Sequence, residues 1–364
     1  MMYFFLSEAS LMKFSIADQK KKYATKEDIA DVLKRIEDDI EELVEVDLSG
    51  NCFSEEAMEE ICKVLTNARC LRVINLSSVF LLLGKERLCH NLALLSKMLR
   101  KHCIQKIDLS DNAIGSEFPE EFGMFISEAR SLVHLKMNNC GLGEIGGNRL
   151  GRYMKSIEDK GKLEVVDIAQ NRFFVFPKEL REALEEFDGI KELRIQYNTI
   201  EEVTMLSLLN GLEKHVLEVL DMRDNFLSEE GSKRLGELYC GWYMKELRVG
   251  DCMMRNSGVK RFLEEASKKF VPMCLPGEYT GRSGVVLDLS YNEFEQDAMD
   301  ALCEFCRINA VKELIVFGNY YEDASKAIEV VNEHGGKVIA SEGRDDASDA
   351  DEIAESLIEK VAKL

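Results

Sequence analysis

The feature that most restricts this chain is internal repetition. The pattern L-x-x-L-x-L-x-x-N, with apolar residues standing for leucine, recurs as "LVEVDLSGN" ending at Asn51, "IQKIDLSDN" at Asn112, "LEVVDIAQN" at Asn171 and "IKELRIQYN" at Asn198. It continues as "LEVLDMRDN" at Asn225, "VVLDLSYN" at Asn292 and "VKELIVFGN" at Asn319. Three further copies end in other residues: "LRVINLSSV" at Val79, "LVHLKMNNC" at Cys140 and "MKELRVGDC" at Cys252. The intervals between successive anchors are 28, 33, 28, 31, 27, 27, 27, 40 and 27 residues. Self-similarity at that period means a stack of supersecondary units, none of which can bury its apolar face alone. Each copy reads as a short strand whose leucine-like residues enter a shared core, with the Asn or Cys turning the chain. The stretch after each anchor reads as a helix: in "SEEAMEEICKVL", Ala57, Met58, Ile61, Cys62 and Leu65 recur at helical spacing. The expected fold is an α/β leucine-rich-repeat solenoid, a ribonuclease-inhibitor-like horseshoe with a parallel concave sheet and outer helices.

The array of about ten repeats is expected over 25–340, preceded by an N-terminal extension and cap start over 1–24 and followed by an acidic tail over 341–364. Thr25 to Ile36 reads as a cap helix, with Thr25 as N-cap and Asp28 in the first turn. The longest interval holds a helix over roughly Ser257 to Phe270, then a loop from Val271 to Gly284. Gly141, Gly143 and Gly146 match the G-x-G-x-x-G spacing of dinucleotide-binding turns. Their frame argues otherwise: Cys140 fills an anchor slot, so these glycines belong to a link from strand to helix, where tight turning is needed anyway.

Acidic residues outnumber basic ones 67 to 47, giving a net charge of -20. Such a surface repels nucleic acid and attracts basic protein surfaces. The 11 cysteines lack the spacing of a disulfide framework and point to free thiols in a reducing compartment. No segment is long and apolar enough for a membrane span, and the N-terminal "MMYFFL" lacks the charged start and longer apolar run of a signal peptide. The expectation is a soluble, cytoplasmic monomer. Cys303 and Cys306 form C-x-x-C inside a helical stretch with no second pair, and the five histidines lie far apart in sequence. No phosphate-binding loop, nucleophile elbow or zinc-protease motif occurs. The chain therefore reads as a binding protein rather than an enzyme. Its expected recognition surface is the concave sheet, whose middle column runs Asp47, Asn75, Asp108, Lys136, Asp167, Arg194, Asp221, Arg248, Asp288 and Ile315.

From "MKFSIADQK" at Met12 to about Asn319, the chain resembles the Ran GTPase-activating proteins, which have long leucine-rich repeats. The segments that carry the resemblance are "FSI", "KIDLSDNAIG", "HLKMNNCGLGEIGG" and "VLDMRDNFLSEEG", each in its proper repeat. Residues 1–11 then read as an extension. The resemblance implies an activator of GTP hydrolysis on Ran in nucleocytoplasmic transport, cytoplasmic or perinuclear. It would bind Ran in its GTP form together with a Ran-binding protein and hold no cofactor of its own, GTP and Mg2+ being carried by the partner. In that family no arginine enters the active site, and an asparagine before x-G-L-G braces the partner's water-orienting glutamine. That residue is Asn139 here. The expected partner contacts are Lys85, Arg87, Asn112 and Asp224, with Asp108 and Lys136 from the concave column. One departure stands out: a family arginine aligns with Leu83 in "LSSVFLLLGKERL", with Arg87 as a nearby replacement. It leaves open a second expectation, a weakened activator that binds Ran or another basic protein without activating it. An inhibitor of basic ribonucleases is a third.

Overall fold

The computed structural model describes residues 12–81, 83–268 and 284–341. The expectations for residues 1–11, for the loop within 269–283 and for the tail from Glu342 lie outside them. Among the described residues the strands are β1 (Met12–Ser15), β2 (Lys22–Tyr23), β3 (Leu43–Asp47), β4 (Cys52–Phe53), β5 (Val73–Asn75), β6 (Lys106–Asp108) and β7 (His134–Lys136). They continue as β8 (Val165–Asp167), β9 (Glu192–Arg194), β10 (Val219–Asp221), β11 (Glu246–Arg248), β12 (Val285–Asp288), β13 (Val311–Ile315) and β14 (Lys337–Ile339). All but β2 and β4 form one parallel sheet of 12 strands in chain order; β2 and β4 pair separately. The helices are α1 (Lys26–Asp38), α2 (Glu55–Leu65), α3 (Lys85–Leu99), α4 (Glu120–Ser127), α5 (Gly143–Lys155) and α6 (Lys178–Glu186). The rest are α7 (Glu202–Gly211), α8 (Glu229–Tyr239), α9 (Arg255–Ala266), α10 (Gln296–Ile308) and α11 (Ser325–Glu333).

This is a leucine-rich-repeat solenoid: a parallel sheet with a helix between nearly every pair of successive strands. The core is one continuous stack in which the paired inward residues, such as Val46 and Leu48, Ile107 and Leu109, and Leu247 and Val249, are at most 2% exposed. Helix starts follow local chemistry. Thr25 and Asp28 form a capping box on α1, Ser54 accepts the Ala57 N–H at 3.1 Å on α2, and Ser228 accepts the Gly231 N–H at 3.1 Å on α8. α5 and α6 approach so closely that a Cβ on Gly151 would meet backbone atoms of Glu179 and Leu180 at 2.3 Å.

Register between strands rests on a buried asparagine ladder. The Asn171 amide donates to the Met137, Ile168 and Ala169 carbonyls at 2.8–3.0 Å and accepts the Cys140 and Leu142 N–H groups at 3.2 Å. Backbone groups of two neighbouring repeats are thereby satisfied from one side chain. Cys140 and Cys252 take the same slot, and their thiols donate to the Leu109 and Met222 carbonyls at 3.2 Å.

One expectation is corrected here. Asn112 is a rung of this ladder, 0% exposed, donating to the Leu76 and Leu109 carbonyls at 2.8 Å and accepting the Phe80 N–H at 2.8 Å. All its capacity is spent inside, so it pins the loop leading to α3 rather than touching a partner. The acids of the concave column are engaged locally. Asp47, Asn75, Asp108, Asp167, Asp221 and Asp288 each accept the N–H two residues on, an Asx turn that ends the strand. Asp167, Asp221 and Asp288 are at most 8% exposed. Arg223 grips Asp221 through two hydrogen bonds, 3.0 and 2.7 Å, and Arg194 and Arg248 stand 3.6 and 3.8 Å from Asp221 and Asp288. The acids of β8 to β12 thus serve turns and an internal ladder of alternating charge.

Candidate interaction rim

The residue before each of the ten anchors is left-handed: Gly50, Ser78, Asp111, Asn139, Gln170, Tyr197, Asp224, Asp251, Tyr291 and Gly318 have φ between 51° and 74°. Each of these corners turns the chain out of its strand. The first nine donate their N–H to the carbonyl just before the next corner, at 2.8–3.1 Å. The corners therefore form a rigid rim, one residue per repeat. An L side chain other than asparagine or aspartate resists this conformation, which explains the glycine, aspartate or asparagine at six of the ten corners.

Asn139 sits on this rim, exposed, with φ of +51°. Its Nδ2 donates to Asp111 Oδ1, the preceding corner, at 3.0 Å. The glycines that follow answer the dinucleotide question: Gly141 and Gly143 are left-handed, with φ of +65° and +57°, and Gly143 opens α5 with its N–H bonded to the Asn171 carbonyl. They form the link from corner to helix.

The structure brings together some of the expected contacts and separates others. Asp108 and Lys136 are register partners on β6 and β7, both half-buried, beside the corners Asp111 and Asn139. Lys136 forms no ion pair within 4 Å among the described residues, and it lies near His134. Burial, then Lys106 and Lys136, holds His134 below the usual imidazole range, so it is neutral at pH 7. Asp224 lies on the same rim three corners beyond Asn139. Burial, then the neighbouring Asp251, raises its carboxyl above the ordinary range. Lys85 and Arg87 are exposed in the first turn of α3; Lys85 pairs with Glu117 at 2.5 Å, while Arg87 has no ion pair among the described residues. Leu83 is half-buried and packs on the core. Asp111 escaped the sequence reading, although its slot before Asn112 in "LSDN", 28 residues before Asn139, marks it as the equivalent corner.

Among the described residues no cluster of three or more His, Cys, Asp or Glu is arranged to hold a metal ion, and no helix is long and apolar enough to cross a membrane. Cys303 and Cys306 are buried in α10, and burial pushes the Cys306 thiol up to about 12. What the rim offers is a row of fixed side chains at the strand ends.

Fold and rim together define a leucine-rich-repeat protein with a row of left-handed corners at the ends of its strands. No family model matches the chain. Among characterised proteins it is similar to Ran GTPase-activating protein 1 of Saccharomyces cerevisiae, 25% identical over 342 residues, spanning 87% of this chain and 81% of that one. Among solved structures it is similar to an internalin from Listeria monocytogenes, with a TM-score of 0.46 at 14% identity, covering 91% of this chain and 86% of that one. A leucine-rich-repeat protein of Leptospira interrogans gives 0.32 at 13% identity, covering 91% and 96%.

Proposed function

We propose that this protein activates GTP hydrolysis on a Ran-type GTPase, with Asn139 bracing the glutamine that orients the attacking water. The similarity to a Ran GTPase-activating protein supports the class of activity. The observation that carries the mechanism is the exposed Asn139 amide on a corner tied to its neighbours on both sides. A neutral amide donates and accepts at once, so it can hold a second amide in one orientation. Holding the water-orienting group in place removes orientational freedom from the reaction, and catalysis of phosphoryl transfer rests on such positioning together with electrostatic stabilisation. Nucleotide and Mg2+ belong to the partner, and Lys85, Arg87, Asp108, Lys136 and Asp224 supply docking contacts. This role places the protein in the cytoplasm, acting in transport between nucleus and cytoplasm on the GTP form of Ran, with a Ran-binding protein as a further member of the complex.

The test is single-turnover GTP hydrolysis on Ran with increasing amounts of this protein. Acceleration that saturates is expected, and its absence at saturation removes the proposal. Asn139→Gly preserves the left-handed corner while deleting the amide; it should lower the saturating rate about 100-fold and change half-saturation little. A second reading, a scaffold that binds Ran without activating it, is favoured by Leu83, which packs on the core where the family has an arginine. It gives measurable affinity for GTP-loaded Ran with unchanged turnover.

A further inference from the structure

The hydrogen bond between Asp111 and Asn139 determines which end of the amide faces outward. An ionised carboxylate only accepts, so it selects the NH2 end of Asn139. Nδ2 stands 3.0 Å from Asp111 Oδ1, and Asn139 makes no other side-chain hydrogen bond among the described residues. Both residues are corners, held by N–H bonds to the Asn138 and Ala169 carbonyls at 2.8 and 2.9 Å, so the pair cannot drift apart without breaking the rim. With one N–H of Nδ2 tied to the preceding repeat, the amide is held with its NH2 end toward Asp111 and Oδ1 on the opposite side, open to a partner.

We propose that Asp111 is the positioning residue of Asn139, holding its amide oxygen-outward so that Asn139 acts on the partner as an acceptor. Resting on the function proposed above, this fixes the sense of the contact. The partner's glutamine donates its NH2 to Asn139 Oδ1, and its own carbonyl oxygen is left to accept from the attacking water. Without Asp111 the amide turns freely between two faces, and only one of them holds the glutamine in the productive sense. Asp111 touches neither nucleotide nor water.

The test compares Asp111→Gly and Asp111→Asn in the full chain by single-turnover hydrolysis on GTP-loaded Ran across a range of activator concentrations. Glycine accepts the φ of +58° at this corner without strain, so it removes the acceptor and spares the backbone. Asp111→Gly should lower the saturating rate about tenfold, with half-saturation within about twofold of the parent. Asp111→Asn restores an acceptor oxygen but also offers an NH2 that can pair with Oδ1, so it selects neither end and should recover only part of the rate. A full saturating rate in Asp111→Gly, or a loss confined to half-saturation, overturns the role of Asp111 while leaving the activator reading in place. Failure of the parent chain to accelerate hydrolysis overturns both.

Discussion

Single side chains here do two unlike jobs in adjacent slots. The anchor residue faces inward and satisfies backbone, whereas the residue before it faces outward on a left-handed corner. Removing the inward one leaves buried carbonyls and N–H groups without partners, so Asn171→Ala should cost about 3 kcal/mol or more. Cys140→Ala loses only a weak thiol donor and some volume and should cost about 1 kcal/mol. Thermal or urea unfolding of the two variants checks the order, and equal losses would mean that the asparagine ladder is not what holds the register. The same contrast explains why the sequence alone does not separate the two roles at Asn112: in "LSDN" two polar residues stand side by side, and only the fold tells that Asp111 is outside and Asn112 inside.

Among elements, the three-residue strands are too short to be read from local alternation and were legible only through the period of the apolar residues. The helices were legible from their own faces and caps: α1 begins after Thr25 with Asp28 closing the capping box, as its sequence suggests. β1 and β14 were not legible as strands, because neither carries the anchored pattern, yet both extend the sheet. The charge ladder escaped as well, since Arg223, which covers Asp221, lies beyond the strand in a slot that five of the other nine repeats fill with serine or alanine. One acid on this sheet gives a pH-dependent prediction. Asp167 has its carboxyl raised above its ordinary value of 3.8, first by burial, so its charged form opposes folding. That opposition is absent below the unfolded value and grows as pH rises through the folded one. Asp167→Asn keeps an acceptor for the Ala169 N–H and should raise the melting temperature at pH 7 by a few degrees, with the gain vanishing as pH falls toward 3. A gain of equal size at both pH values would show that charge burial is not its source.

For the molecule as a whole, the corners act as graduations on a ruler. Parallel strands step by about 4.8 Å, so Asn139 and Asp224, three corners apart, are separated along the rim by about 14 Å. A protein that engages both must present its own two features at that span. Excising residues 172–198, one full period, leaves both side chains and their corners intact but shortens the span by one graduation. A stack tolerates such an excision because each unit contacts only its neighbours. The shortened protein should therefore fold, seen as retained helical circular dichroism and cooperative melting, and, on the function proposed above, its affinity for GTP-loaded Ran should fall about tenfold or more. Unchanged affinity would show that only one of the two marks is read. In such a protein, specificity resides in arithmetic as much as in chemistry: the count of units between two contacts decides which partner surface can be matched.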